Sequence, residues 1–287
     1  MYLKKLRVFL NENILNLRNR FHWLIYFIEN SLDRGYELIC LRRLGSKNKR
    51  KLKNEPVWIE GTYEDNLVEV FKGCDVFVHL AAHSTNFPYD TLENCLHGNV
   101  ISPLIMLQNA KKNGIQKFII IGTGFEYGLS GEKYDFIPVE APLIPKMNYP
   151  VSKAVGSLVF SQWALENNLK LKYLRIFQVY GEGEDKNRLW PSLKRAAELG
   201  EDFELTNGDQ VRDFTYVDDI ARKIIDELKY FNFEIGKTLF KNIGSDKPQT
   251  VREFAEYWWD YWNAKGKLIF GSKEYREDEI MRFVPKL

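Results

Sequence analysis

The sequence predicts an α/β fold, a doubly wound parallel sheet followed by a smaller C-terminal lobe, on three observations. Short strand-like runs recur at 6–10, 37–41, 76–80, 117–121 and 172–177. Helical apolar periodicity fills stretches between them, notably 99–113 and 152–167. After Tyr180-Gly181-Glu182-Gly183 the pattern changes to shorter, mixed segments. Near-continuous apolar strands separated by helices indicate a parallel sheet covered on both faces. Right-handed crossovers make that sheet doubly wound, with ligands at the carboxyl ends of its strands.

Each element has its own signal. Leu6-Arg7-Val8-Phe9-Leu10 is the first strand, and Glu37-Leu38-Ile39-Cys40-Leu41 follows the turn signal Arg34-Gly35. Val76-Phe77-Val78-His79-Leu80 follows Gly73-Cys74-Asp75, and 117–121 follows Asn113-Gly114. Glycine and asparagine punctuate the chain where a helix must stop and a strand begin. In the C-terminal part, 187–199, the stretch around Gly208, and 251–263 belong to the lobe. Trp258, Trp259 and Trp262 read there as packing residues rather than a binding platform.

Bulk composition bounds the function. The 287 residues are 45% apolar and 28% charged, which suits one large globular domain or two joined ones. A net charge of +2 argues against nucleic acid or a membrane surface as the main partner, and the basic stretch 47–53 reads as a solvated loop. Three cysteines, an odd number with no CxxC spacing, point away from disulfide scaffolding and structural zinc and towards a reducing compartment. The apolar stretch 21–28 is too short to span a bilayer and lacks a small-residue cleavage site. A cytoplasmic protein without a metal site is expected.

The chemistry concentrates at Tyr149 and Lys153, with Thr123 upstream at the end of an apolar run. A phenol has a pKa near ~10 and is a poor proton donor or acceptor at neutral pH unless a fixed cation stabilises its anion. Residues four apart share one helix face, so Lys153 can stand beside Tyr149. A hydroxyl at a neighbouring strand end can bind the same substrate oxygen, which suits proton transfer coupled to hydride transfer. Taken alone, the pair reads first as surface neighbours on a helix; its surroundings supply the other reading.

Those surroundings, from about 34 to 285, resemble the extended short-chain dehydrogenase/reductase family of nucleotide-sugar epimerases, dehydratases and reductases. His79-Leu80-Ala81-Ala82 is similar to the family's strand-end segment, Asn99-Val100 to its central-helix asparagine, and Thr123 to Gly128 to the element carrying the catalytic Ser/Thr four residues before Tyr-Gly. The stretch 174–181 resembles the passage into the substrate lobe, and Arg212-Asp213-Phe214 with Val217-Asp218-Asp219 the motif whose arginine holds the sugar nucleotide's phosphates. Singly, each match has a bland reading: tight packing at Ala81-Ala82, a structural hydrogen bond at Asn99, a surface position at Gln178, a local ion pair at Arg212. Together the resemblance implies a Rossmann-like domain over 1–177, with 214–244 returning to it, and a substrate lobe from 178–213 and 245–287. It implies Thr123, Tyr149 and Lys153 as catalytic residues. Leu80, Ala81, Ala82, Asn99, Tyr149 and Lys153 would hold NADP or NAD. Thr123, Phe125, Gln178 and Arg212 would hold a nucleotide sugar, in a homodimer formed through two helices, one bearing Lys153.

Two features depart from that pattern. The family's glycine-rich turn follows the first strand and lets the pyrophosphate reach a helix N-terminus, but the first glycine here is Gly35. Residues 16–24 stand in its place, with the bulky Arg18, Phe21 and Trp23. A displaced reading frame can encode Gly-Phe-Ile-Gly from the codons of Arg20 to Leu24; a divergent turn is the alternative. At the other end, 279–285 resembles a segment that family members follow with a further strand and helix, so the lobe reads as shortened.

Within the family, dehydratases carry an Asp-Glu pair after the catalytic Thr, where this chain has Gly124 and Phe125. Reduction of a 4-keto sugar and C4 epimerisation remain, and the Gly-Thr-x-Phe-Glu-Tyr-Gly form resembles deoxysugar 4-ketoreductases. A non-catalytic relic of the family is the third reading. Arg42 and Arg43, at the end of the second strand, suit the 2′-phosphate of NADP or else start an exposed loop.

Overall fold

In the structure, a computed structural model, residues 7–11, 22–45, 51–62, 65, 68–277 and 279–287 are described. The segment 12–21, where the glycine-rich turn is expected, and 46–50 of the basic stretch lie outside them.

The first half of the chain runs β1 (Arg7–Asn11), α1 (His22–Asp33), β2 (Glu37–Arg42), β3 (Val57–Glu60), α2 (Val68–Phe71), β4 (Val76–His79), α3 (Leu92–Leu96), α4 (Ser102–Lys112), β5 (Lys117–Thr123) and α5 (Asn148–Glu166). A π-helical turn, His97–Ile101, joins α3 to α4. The second half runs β6 (Lys170–Ile176), β7 (Gln178–Tyr180), α6 (Leu189–Leu199), β8 (Phe203–Glu204), β9 (Val211–Tyr216), α7 (Val217–Asp226), β10 (Thr238–Ile243), β11 (Pro248–Thr250), α8 (Val251–Tyr261), β12 (Leu268–Ile269) and β13 (Arg282–Phe283).

The fold is the Rossmann-like one. Seven strands form one sheet in the order β10-β6-β5-β4-β1-β2-β3, and every pairing within it is parallel. The order reverses between β1 and β4, the switch point outside whose carboxyl ends ligands bind. The strands without a counterpart among the sequence-predicted runs, β3 and β10, are the two edges. Edge strands need less apolar sequence, and β10 carries Lys241 and Asn242 in its interior.

Alternation along the central strands explains their unbroken apolar runs. Ile119 and Ile121 face one side with Val78, Leu174 and the helical residues Phe27, Ile28, Ile220 and Ile224. Phe118 and Ile120 face the other with Phe77, Met106, Leu107, Phe160 and Trp163. Each such side chain contributes roughly 1.5–3 kcal/mol on burial. α7 shows the helical counterpart, burying Val217, Ile220, Ala221, Ile224 and Ile225 at spacings of three and four.

After β6 a second sheet forms around β9, which pairs with β11, β13 and β7. α6 packs on α8 through Leu193, Ala197, Ala255 and Trp259. Trp258 packs against Trp190 and Trp262, with ring centroids 5.6 Å and 5.2 Å away, and those two rings lie 5.6 Å from each other. Thr250 caps α8 by accepting from Glu253 N at 3.0 Å while Glu253 Oε2 accepts from Thr250 N at 2.7 Å.

Candidate active site

Thr123 is the last residue of β5, and its backbone is extended before the chain turns into the 3-10 segment Gly124–Glu126. The turn is closed locally: Thr123 N donates to Glu126 Oε1 at 2.9 Å, and Thr123 Oγ1 accepts from Phe125 N at 3.3 Å. Tyr149 lies in the first turn of α5, which begins ahead of the predicted 152–167 because Pro150 needs no backbone partner there. Lys153 follows one turn later, 2% exposed, and donates from Nζ to Ile121 O at 2.7 Å. The Thr123 side chain acts on Tyr149, favouring the phenolate. All three line one cavity at the carboxyl ends of β4, β5 and β6.

Burial sets the electrostatics. It pushes the Tyr149 phenol well above the ordinary range, helped by Tyr89 and Glu126 and opposed by Arg188 and the Thr123 side chain. The sequence reading has Lys153 lowering the phenol; here Lys153 is not among the groups that shift it, and desolvation dominates. The same burial brings the Lys153 ammonium down to about 8, with Glu126 opposing. His79, buried beside this cation, falls to about 3 and is neutral near pH 7.

Beneath the trio lies a polar floor. Arg175 Nε donates to Glu126 Oε2 at 2.8 Å, and Tyr173 Oη stands 2.9 Å from Glu126 Oε1 and 3.1 Å from Lys153 O. Glu126 therefore holds both the Thr123 turn and the tyrosine braced against α5. Its sequence signal is the Thr-x-x-Glu capping box at 123–126; Arg175, distant in sequence, has no comparable signal.

Other predicted site residues divide into two groups. Leu80, Ala82, Phe125 and Gln178 line the cavity with the trio. Ala81, Asn99, Arg42, Arg43 and Arg212 are not among its lining residues. Asn99 is buried and braces the site from behind, accepting from His83 N at 2.6 Å and donating to Ser152 Oγ at 2.9 Å. Ser152 in turn donates to Tyr149 O at 2.8 Å. Gly98 permits this approach, since a Cβ there would lie 2.6 Å from His83 Cβ. Arg212 Nη2 pairs with Glu279 Oε1 at 2.7 Å. Thr85, Asn86, Glu184, Asp185 and Arg188 complete the cavity wall; only the i, i+4 spacing of Glu184 and Arg188 hints at them in the sequence.

The residues present fit the two ends of a dinucleotide. Tyr149 and Lys153 share their cavity with the small, apolar strand-end residues Leu80 and Ala82. At the end of β2, Arg42 pairs with Glu60 at 3.0 Å while its buried Nε has no hydrogen-bond partner. Buried donors of this kind are rare and suit a ligand's acceptor.

Comparison with known proteins bears on family and fold. The sequence profile described as the NAD dependent epimerase/dehydratase family matches residues 26–232. The UDP-glucose 4-epimerase of Corynebacterium glutamicum is 24% identical over 245 residues, 78% of this chain and 73% of that protein. The dTDP-4-dehydro-6-deoxyglucose reductase of Escherichia coli is 28% identical over 188 residues, 62% of this chain and 56% of that one. Among solved structures, the UDP-glucose 4-epimerase of Thermotoga maritima with UDP-glucose superposes with a TM-score of 0.80 at 21% identity, covering 98% of this chain and 90% of that one. No helix among the described residues is long and apolar enough to cross a membrane.

Proposed function

The chain belongs to the NAD-dependent epimerase/dehydratase family, and on that premise we propose that it reduces the 4-keto group of a nucleotide sugar, using NADP or NAD. The observation that carries this reading is the convergence of Thr123, Tyr149 and Lys153 on one cavity. When bound, the reduced cofactor supplies the hydride taken up at the sugar's C4. The chain's own residues act at the oxygen. Tyr149 hydrogen-bonds it and gives up its proton as negative charge develops, while Thr123 holds the same atom. Lys153 would hold the nicotinamide ribose, and its ammonium offsets the charge left on Tyr149.

The protonation state of the phenol suits a reduction. Burial keeps Tyr149 protonated, which is the form a reduction consumes; the oxidative half of an epimerisation needs the anion. Arg42 and Arg43 favour NADP, with Glu60 yielding Arg42 to a 2′-phosphate, and Leu80, Ala81, Ala82 and Asn99 shape the strand-end side of the cofactor site. Phe125 and Gln178 would flank the sugar, and Arg212 would exchange Glu279 for the substrate's diphosphate. We take 1–177 with 214–244 as the cofactor domain and the remainder as the substrate lobe. The exposed Ile101, Ile105, Leu158 and Leu165 on the π turn, α4 and α5 support a homodimer, and the cytoplasm is its proposed location.

C4 epimerisation is the second reading, favoured by the likeness to the Corynebacterium enzyme over most of the chain. The two separate by product. Net oxidation of NADPH with a dTDP-4-keto-6-deoxyhexose supports reduction; interconversion of UDP-glucose and UDP-galactose without net change of cofactor supports epimerisation. Because no glycine precedes Gly35, the chain as it stands should bind NADPH more weakly than micromolar. A version with a short Gly-rich turn replacing 12–21 should recover binding. Micromolar affinity without that replacement overturns the steric argument, and no binding with it leaves a non-catalytic relative.

A further inference from the structure

One wall of the cavity has no role in the mechanism above. It is the segment after β7, where Glu184, Asp185 and Arg188 meet Thr85 and Asn86 from the chain after β4. The Glu184 side chain is 4% exposed, yet its buried Oε2 has no hydrogen-bond partner in the protein. The turn is held by Glu184 N donating to Gly181 O at 3.2 Å, and Gly181 has φ +135°, a conformation open to glycine. Leaving a buried carboxyl oxygen unmatched costs stability unless a ligand completes it.

Arg188 does not complete it. Its Nε is 4.0 Å from Glu184 Oε1, and the guanidinium is engaged elsewhere. Nη2 donates to Asn86 Oδ1 at 3.1 Å and to Thr85 O at 3.3 Å. Asp185 Oδ2 accepts from Asn86 Nδ2 at 3.3 Å. This wall therefore sets two carboxyl groups against one guanidinium and has no surplus positive charge.

A sugar hydroxyl is both donor and acceptor, so it matches a carboxylate and a carboxylic acid alike. Burial pushes Glu184 up to about 7, which populates both forms near neutrality. A hexuronic acid's carboxylate, by contrast, would find no spare cation here and would face Asp185 as well. Resting on the nucleotide-sugar reading, we propose that Glu184 is a specificity-determining residue that hydrogen-bonds a free ring hydroxyl of the glycosyl group, so that the site takes nucleoside diphosphates of neutral hexoses or deoxyhexoses in preference to those of hexuronic acids.

Calorimetric binding of UDP, dTDP, UDP-glucose and UDP-glucuronate to the parent chain, Glu184→Gln and Glu184→Ala tests this. The parent should prefer UDP-glucose to UDP-glucuronate by at least tenfold. Glu184→Ala should lose ten- to hundredfold of its UDP-glucose affinity, the effect of one hydrogen bond to an ionisable group, and keep its affinity for UDP. Glu184→Gln, which retains an acceptor, should lose about two- to tenfold. An alanine variant with parental affinity and preference overturns the proposal alone. If that variant no longer binds UDP, it has lost its fold; Glu184→Gln then decides, and parental UDP-glucose affinity in it overturns the proposal. A parent that binds neither UDP nor dTDP overturns the proposed function and this inference together.

Discussion

Glu126 and Arg175 form an ion pair at 2.8 Å in which the carboxylate side chain is 0% and the guanidinium side chain 5% exposed. Glu126 also accepts from Thr123 N, so the pair fixes one member of the proposed catalytic trio. Arg175 reaches further, from Nη1 to Tyr127 Oη at 3.1 Å and to Val139 O at 3.2 Å.

Arg175→Met should leave Glu126 buried without its counter-charge. Stability should fall by about 3–5 kcal/mol, read as a lower urea midpoint. Adding Glu126→Gln to Arg175→Met should recover part of the loss, because no charge then stays buried. A single variant as stable as the parent would show that the pair is dispensable.

Lys153 makes stability depend on pH in a defined window. Its folded value of about 8 lies below the ordinary 10.5. Below pH 8 the ammonium is charged in both states and its burial penalty is complete. Between pH 8 and 10.5 only the unfolded chain keeps the proton, so stability rises with pH, by roughly 3 kcal/mol over the window. Lys153→Met removes the titration, so parent and variant denaturation curves at pH 7.5 and 10 should converge. Curves that stay parallel would place the titration elsewhere.

Tyr149→Phe removes the phenolic hydroxyl and little else. In a chain carrying a Gly-rich turn, turnover should drop by roughly 10²–10⁴ while substrate affinity is largely kept. Arg212→Ala should instead mainly raise KM, since the diphosphate it would hold changes little in charge at the transition state. Parental turnover by Tyr149→Phe would make the trio structural.

Leu158, 66% exposed on α5, offers a test of assembly. Leu158→Glu should shift sedimentation from dimer to monomer with the fold intact, because a carboxylate cannot be covered by an apolar partner face. A parent that sediments as a monomer at micromolar concentration would rule out the dimer.

The central strands were legible because both their faces are buried, which leaves long apolar runs that periodicity detects. The edge strand β10 was not, since Lys241 pairs with Glu227 at 2.7 Å on a half-open surface. Thr123, Tyr149 and Lys153 were legible through spacing and neighbouring motifs, and Leu80, Ala82, Phe125 and Gln178 join them around one cavity. Arg212 shows the limit of that method: its motif names a phosphate holder, and only the packing of β13 and its approach beside β9 reveals Glu279 as its present partner.

What the sequence determined by itself is the parallel sheet and the placing of a Thr-Tyr-Lys trio at its carboxyl edge. Both rest on patterns along the chain: near-continuous apolar runs for the strands, and for the trio a four-residue spacing together with the resemblance carried by the neighbouring motifs. The tertiary structure decided the rest. Register between β5 and β6 sets Gly122 opposite Arg175, which brings Arg175 to Glu126 across 49 positions. Loops from the ends of β4 and β7 meet to leave Glu184 buried and unmatched. Burial, a property of the assembled core, then moves Tyr149 up and Lys153 down. Desolvation depends on every neighbour in space, and spacing along the chain carries no record of it.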